Sequence, residues 1–200
     1  MELEELQQTE LEILKVFHNF CTENGLRYYL AGGTLIGAIR HKGFIPWDDD
    51  IDICMPRPDY MKLLELAENG KLDEYRCVDS RYIDPESPTS IIRIYDNRTE
   101  IAFKNNLVKM KFGCWIDLFP LDGVESGKIK RRMHFKEMRL ANDLLICCTT
   151  KFGGKRRSKI VTFLQYMLVP FLPLIRLPGA YFYLDMMDRI ARRFDYDSSE

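Results

Sequence analysis

No apolar run in this sequence is long enough to cross a membrane. The one candidate, residues 160–175 (IVTFLQYMLVPFLPLI), falls short of the ~18–20 residues a spanning helix needs, and Pro170 and Pro173 interrupt it. The first eight residues lack both a basic n-region and an apolar h-region, so no secretory signal is expected and the cytoplasm is the expected compartment. Net charge is nearly absent: 29 Lys and Arg against 30 Asp and Glu leave −1. That balance rules out a chain-wide basic footprint, and no nucleic-acid partner is expected. The six cysteines (Cys21, Cys54, Cys77, Cys114, Cys147, Cys148) fall in no metal-ligand spacing, and a chain of 200 residues needs no disulfide framework. Reduced, mostly buried thiols are the expectation. Internal repeats and low-complexity tracts are missing as well.

What is present has the make-up of a globular domain, with 46% hydrophobic and 30% charged residues, enough to bury a sizeable core. Apolar residues Leu3, Leu6, Ile13, Leu14, Phe17, Phe20 and Cys21 recur at helical intervals, with Gly25 as the stop. Residues 27–31 read as a short strand ended by a Gly32-Gly33 turn, and 34–40 as a short helix. Residues 50–55 (DIDICM) alternate acidic and apolar side chains, the period of a strand. Pro58 and Asp59 open a helix that runs through 69 and is closed by Gly70. Residues 90–95 and 113–119 are further strands, and 137–148 and 181–193 further helices. The fold class expected is α/β: an α+β mixed sheet flanked by helices over residues 1–125, with a helical C-terminal part, 126–200, packed on it. Residues 152–158 form the one linker-like break. A basic cluster (Lys151, Lys155, Arg156, Arg157, Lys159) precedes the 160–175 stretch. The reading favoured there is a buried helix and a proline-punctuated turn, and the alternative is peripheral contact with an anionic membrane surface.

The chemistry concentrates in residues 28–56, YYLAGGTLIGAIRHKGFIPWDDDIDICMP. Asp48, Asp49, Asp50 and Asp52 crowd into five positions, where they repel one another unless a cation or hydrogen bonds offset the charge. On a strand Asp50 and Asp52 share one face and Ile51 and Ile53 the other. Two such carboxylates suit a hard divalent ion such as Mg²⁺, which favours few carboxylates plus water and phosphate oxygens. Asp48 and Asp49 are read equally well as metal ligands or as a solvated acidic turn. Upstream, Gly32, Gly33 and Thr34 join strand to helix, where glycines permit close approach of an anion and the helix N-terminus offers free N–H groups. Arg40, His41 and Lys42 follow, and Arg40 is the favoured phosphate partner among them. Asp117, set among apolar residues in CWIDLFPLD, is the candidate third carboxylate. His18, His41 and His134 are read as lying outside the site, His41 and His134 on the surface.

The stretch AGGTLIGAIRHKGFIPWDDDIDICMPRPDY, followed by WIDLFPLD and supported by Ile92 to Asp96 with Thr99, resembles the LicD family of the nucleotidyltransferase superfamily. The resemblance covers roughly residues 1–122 well and 123–194 loosely. It implies a nucleotidyltransferase-like catalytic core and Mg²⁺ (Mn²⁺ as the alternative) held by Asp50 and Asp52, with Asp117 in the third position. It implies transfer of a phospho-alcohol, such as phosphocholine or, among fukutin-like relatives, ribitol phosphate, from a CDP-activated donor to a cell-surface glycan with release of CMP. Lipopolysaccharide, teichoic acid and lipid-linked glycans are the acceptor classes. In that chemistry Gly32, Gly33 and Thr34 lie on the phosphate side, and Arg40 and Arg93 complement phosphate charge. Asp117 assists deprotonation of the acceptor or binds a second metal. Trp47 packs on cytosine or, by cation–π attraction, on choline, with plain packing within the turn as the equal alternative. Family members usually continue into a further segment with a Tyr-Gly-Asp-Tyr-like motif. The sequence ends at Glu200 without it, so that segment is expected to be absent. The competing readings are an Asp-x-Asp glycosyltransferase using Mn²⁺ and a nucleotide sugar, transfer of the nucleotide itself with pyrophosphate release, and an inactive nucleotide-binding fragment.

Overall fold

The computed structural model describes residues 2–67, 70–84, 87, 90–100, 113–149 and 172–199. The basic cluster at 151–159, the linker-like break and most of the 160–175 stretch lie outside the described residues. The chain divides into two compact units, 1–121 and 122–200.

In the first unit, α1 (Leu3–Asn24) follows from its apolar period and ends where Gly25 takes a left-handed φ of 64°. This is a helix stop that glycine adopts without a Cβ penalty. Then come β1 (Tyr29–Leu30), α2 (Gly32–Arg40), β2 (Asp52–Pro56), α3 (Arg57–Leu66), β3 (Arg76–Asp79), β4 (Ile92–Asp96) and β5 (Trp115–Leu121). The strands form one mixed sheet in the order β1-β2-β5-β4-β3. The β2–β5 pair is parallel and the other three pairs are antiparallel.

Register decides what each face carries. Ile53 and Met55 of β2, Ile92 and Ile94 of β4, and Ile116 and Leu118 of β5 share one face and are all fully buried. They form one core with Ile13, Phe17 and Cys21 of α1 and Tyr60 and Leu63 of α3. Alternation then puts Asp52, Asp117 and Arg93 on the opposite, half-buried face. Tyr60 also locks the sheet through its hydroxyl, which accepts the Ile92 N–H at 2.7 Å inside the core. Tyr60→Phe leaves that N–H buried without a partner. It is expected to lower unfolding free energy by about 1–3 kcal/mol in a urea titration.

Several elements differ from the expectations. Gly32 and Gly33 form the first turn of α2 rather than a separate turn, and β2 starts at Asp52, leaving Asp50 in the loop before it. Helix α3 ends at Leu66, because Ala67 already has extended backbone (ψ 92°). Strand β3 was not expected from the sequence at all.

In the second unit, α4 (Lys128–Thr149) begins nine residues earlier than its apolar pattern, and helices Leu172–Arg176 and Ala180–Ala191 follow. The Tyr183 hydroxyl donates to the Ile175 carbonyl at 2.7 Å, and Arg193 pairs with Glu137 at 2.8 Å. His134 is not a surface residue. It is buried, edge-on to Phe135 and Phe194. Among the described residues no helix is long and apolar enough to cross a membrane. All six cysteines are free, three of them buried (Cys21, Cys77, Cys114).

Candidate functional site

Parallel pairing places Asp52 directly beside Asp117. Arg93 lies across the next strand from Asp117, and Asp79 across the strand after that. A row of charges therefore runs across four strands: acid, acid, base, acid. The Arg93 Nε–H donates to Asp117 Oδ1 at 2.8 Å, and the guanidinium stacks on the Trp115 ring at 5.0 Å. Bond and stack fix the angle of the Asp117 carboxylate.

The N-terminus of α2 meets this row. The Ala31 N–H donates to the Asp52 carbonyl at 2.9 Å, and the Asp52 N–H donates to the Thr34 hydroxyl at 2.9 Å. Both backbone groups of Asp52 are thus pinned to the start of the helix, and the Thr34 hydroxyl proton is left to donate elsewhere. The two glycines are required by proximity. A Cβ at Gly32 would lie 2.8 Å from Asp52 Oδ2, and one at Gly33 would lie 2.5 Å from Asp48 Oδ2. Gly32 also has a φ of 51°, where L side chains are strained. The positive end of the helix thereby sits against two carboxylates. Gly33→Ala is expected to push the Asp48 carboxylate aside and weaken divalent-ion binding, read by calorimetry with Mn²⁺. The melting temperature should move only by the few degrees typical of a local steric clash.

Carboxylate oxygens of Asp48, Asp49 and Asp50 lie within 4.8 Å of one another. A cavity of about 300 Å³ opens beside them, lined by Leu6, Glu10, Asp49, Asp50, Ile51, Trp115 and Asp117. Burial, followed by repulsion from Asp52, Asp48, Asp49 and Asp117, raises the Asp50 pKa above its ordinary value. Burial, then Asp117 and Asp48, does the same for Asp52. Glu10 is pushed up to about 8, chiefly by burial and then by Asp50, Asp49, Asp48 and Asp117. Among the described residues Arg93 is the cation these contacts bring to the cluster. Asp48 Oδ2 and Glu10 Oε2 are buried and receive no hydrogen bond. Clustered hard oxygen donors, uncompensated charge and orphaned buried oxygens fit a divalent cation with oxygen preference.

Not every expected residue is gathered here. Arg40 lies at the far end of α2, about 12 Å along the axis from Gly32, and is exposed. Trp47 adjoins the acids in sequence but is 76% exposed, and its ring packs on no other ring among the described residues. Arg93 meets Asp117 directly, which its sequence position alone did not reveal. Glu10 was missed, although a signal existed. It occupies the gap between Leu6 and Ile13 on the apolar stripe of α1, where a charged residue is out of place.

Residues 25–140, more than half of the chain, match the family model described as "LicD/FKTN/FKRP, nucleotidyltransferase domain". The lipopolysaccharide cholinephosphotransferase LicD of Haemophilus influenzae is 39% identical over 122 residues, 61% of this chain and 45% of that protein. The ribitol 5-phosphate transferase FKRP of Homo sapiens is 59% identical over 54 residues, 26% of this chain and 11% of that one. Mannosyltransferase regulator 4 of Saccharomyces cerevisiae is 29% identical over 124 residues, 59% of this chain and 10% of that one. The matched part spans less than half the length of these relatives.

Proposed function

The chain belongs to the LicD family, and on that premise we propose that it transfers a phospho-alcohol, phosphocholine-like, from a CDP-activated donor to a hydroxyl of a cell-surface glycan. The observation that carries the reading is the in-register pair Asp52 and Asp117 at the N-terminus of α2, backed by the orphaned charge of Asp48 to Asp50. Two relatives that match part of the chain carry names that specify transfer of a phosphate-linked alcohol.

Asp50 and Asp52, with Asp117 beside them, would hold Mg²⁺ or Mn²⁺, which when bound offsets charge on the donor phosphates and on departing CMP. The chain's own groups do the rest. Free N–H groups at the start of α2 and the Thr34 hydroxyl face the phosphate side. The acceptor hydroxyl attacks the phosphorus that carries the alcohol, the bond to the CMP oxygen breaks, and CMP leaves with that electron pair. The hydroxyl proton passes to a carboxylate, for which Asp117, held by Arg93, is the candidate. Arg93 limits the negative charge that gathers as donor and acceptor meet. Arg40 and Trp47 remain candidates for the outer parts of the donor. The setting proposed is the cytoplasmic side, with peripheral contact to a membrane that bears a lipid-linked acceptor.

Metal-dependent CMP release is the test, measured with CDP-choline, CDP-ribitol and CDP-glycerol in the presence of a glycan acceptor. Release of CMP from one of the three, abolished by EDTA, is the expected result. Turnover of a UDP-sugar instead, or release of pyrophosphate from a nucleoside triphosphate, would replace this reading with glycosyl or nucleotidyl transfer.

A further inference from the structure

Glu10 sits on α1, far in sequence from the acidic motif, yet it lines the same cavity as Asp49, Asp50 and Asp117. Its residue is 2% exposed, and its Oε2 is buried with no hydrogen-bond partner among the described residues. A buried carboxyl without a partner is costly, and folds resolve it with a basic side chain, a hydrogen-bond donor or a metal. The nearby basic and amide groups are directed at other partners. Arg93 is bonded to Asp117, and the adjacent amide of Gln7 donates to the Asp48 carbonyl at 2.7 Å. The other walls of the cavity are carboxylates, the aliphatic side chains of Leu6 and Ile51, and the Trp115 indole, none of which bonds to Glu10 Oε2.

We propose that Glu10 is a further carboxylate of the cation site, reaching from α1 to ligate a divalent ion in the cavity it shares with Asp49, Asp50 and Asp117. A volume of about 300 Å³ has room for an ion together with several waters or phosphate oxygens, the company Mg²⁺ and Mn²⁺ keep. The helix thus contributes to the site a ligand that the strand motif lacks, and a merely structural Glu10 would be served as well or better by an uncharged side chain. The proposal rests on the divalent-ion reading above.

Mn²⁺ binding to the 200-residue protein, followed by calorimetry and by the electron paramagnetic resonance signal of free Mn²⁺, tests it without any donor or acceptor. Wild type, Glu10→Gln and Asp52→Asn are compared, with melting in EDTA as the control for folding. The expected result is that Glu10→Gln weakens Mn²⁺ binding tenfold or more and melts in EDTA no lower than wild type. A loss smaller than tenfold overturns the role of Glu10 and leaves the strand carboxylates standing. No binding by wild type overturns the divalent-ion reading itself, and this proposal with it. Should the amide variant fail to fold, Glu10→Met, close in shape and apolar, takes its place. Failure of both to fold in EDTA would show a structural carboxyl and overturn the proposal.

Discussion

Asp52→Asn is expected to lower CMP release on the order of 10³-fold, the scale of several kcal/mol that a metal contributes to phosphoryl transfer. Folding should survive. The Asp52 backbone is held by Ala31 and Thr34 whatever its side chain, and the amide has the same shape. The variant also removes a charge from a cluster whose members raise one another's pKa. A carboxyl with a raised folded pKa gives its full stability below the unfolded value, and loses it as pH rises through the folded value. Asp50, Asp52 and Glu10 all shift this way, Glu10 from 4.5 to about 8. Metal-free protein in EDTA should therefore melt at progressively lower temperature between about pH 5 and 8. Asp52→Asn should flatten part of that slope. Asp50→Asn should be equally inactive, and near-wild-type turnover in both variants would remove the metal assignment.

Asp96→Ala is the substitution expected to damage the fold most, by about 3–5 kcal/mol, read from the urea midpoint by circular dichroism. Asp96 ends β4, is fully buried, and accepts both the backbone N–H and the guanidinium of Arg98. These bonds, ahead of the charge of Arg76, hold its carboxyl below the usual range. Its stabilising effect is thus present above the unfolded pKa and disappears as pH falls through the folded one. Arg76 lies 3.7 Å away with its side chain only 10% exposed, so alanine would remove one of its three carboxylate partners and leave it Asp73 and Glu12. The backbone is tied at the same point. The Asp96 N–H donates to the Cys114 carbonyl at 2.9 Å, the Asp96 carbonyl accepts the Thr99 hydroxyl at 2.9 Å, and that hydroxyl accepts the Cys114 N–H at 2.7 Å. Gly113 allows the approach, since a Cβ there would fall 1.8 Å from the Asp96 carbonyl oxygen. This knot joins the end of β4 to the start of β5, the two strands that present Arg93 and Asp117. Asp96→Asn should recover part of the loss, because the amide oxygen still accepts from Arg98. Equal stability of wild type and Asp96→Ala would refute the account.

The elements with strong periodicity were readable in advance. The apolar stripe of α1 and its glycine stop, the alternation of β2, and the alternation of β5 around Asp117 each state their own burial. Strand β3 was not readable. Its four residues, Arg76 to Asp79, begin and end with charge, and their burial comes from pairing with β4. Gly32 and Gly33 read as a turn because glycine is a poor helix former. They are tolerated in α2 because two carboxylates occupy the space a side chain would need. The crowding of the acidic motif was legible in the sequence alone, whereas the Arg93–Asp117 bond depends on register and the placement of Glu10 on where α1 docks. Both are tertiary facts with no local signature except the misplaced charge on an apolar stripe.

The parallel β2–β5 pairing has a consequence for synthesis on the ribosome. Asp52 emerges early, but its neighbour Asp117 lies on the last strand of the sheet, and β5 is inserted between β2 and β4 rather than added at an edge. Until β5 arrives, β2 and β4 each present an unpaired strand edge, and Ile53, Met55, Ile92 and Ile94 have no cover from Ile116 and Leu118. A nascent chain that pauses before Trp115 therefore holds two sticky half-sheets and no assembled site. Closure of the sheet and formation of the carboxylate pair both wait on the same strand, β5.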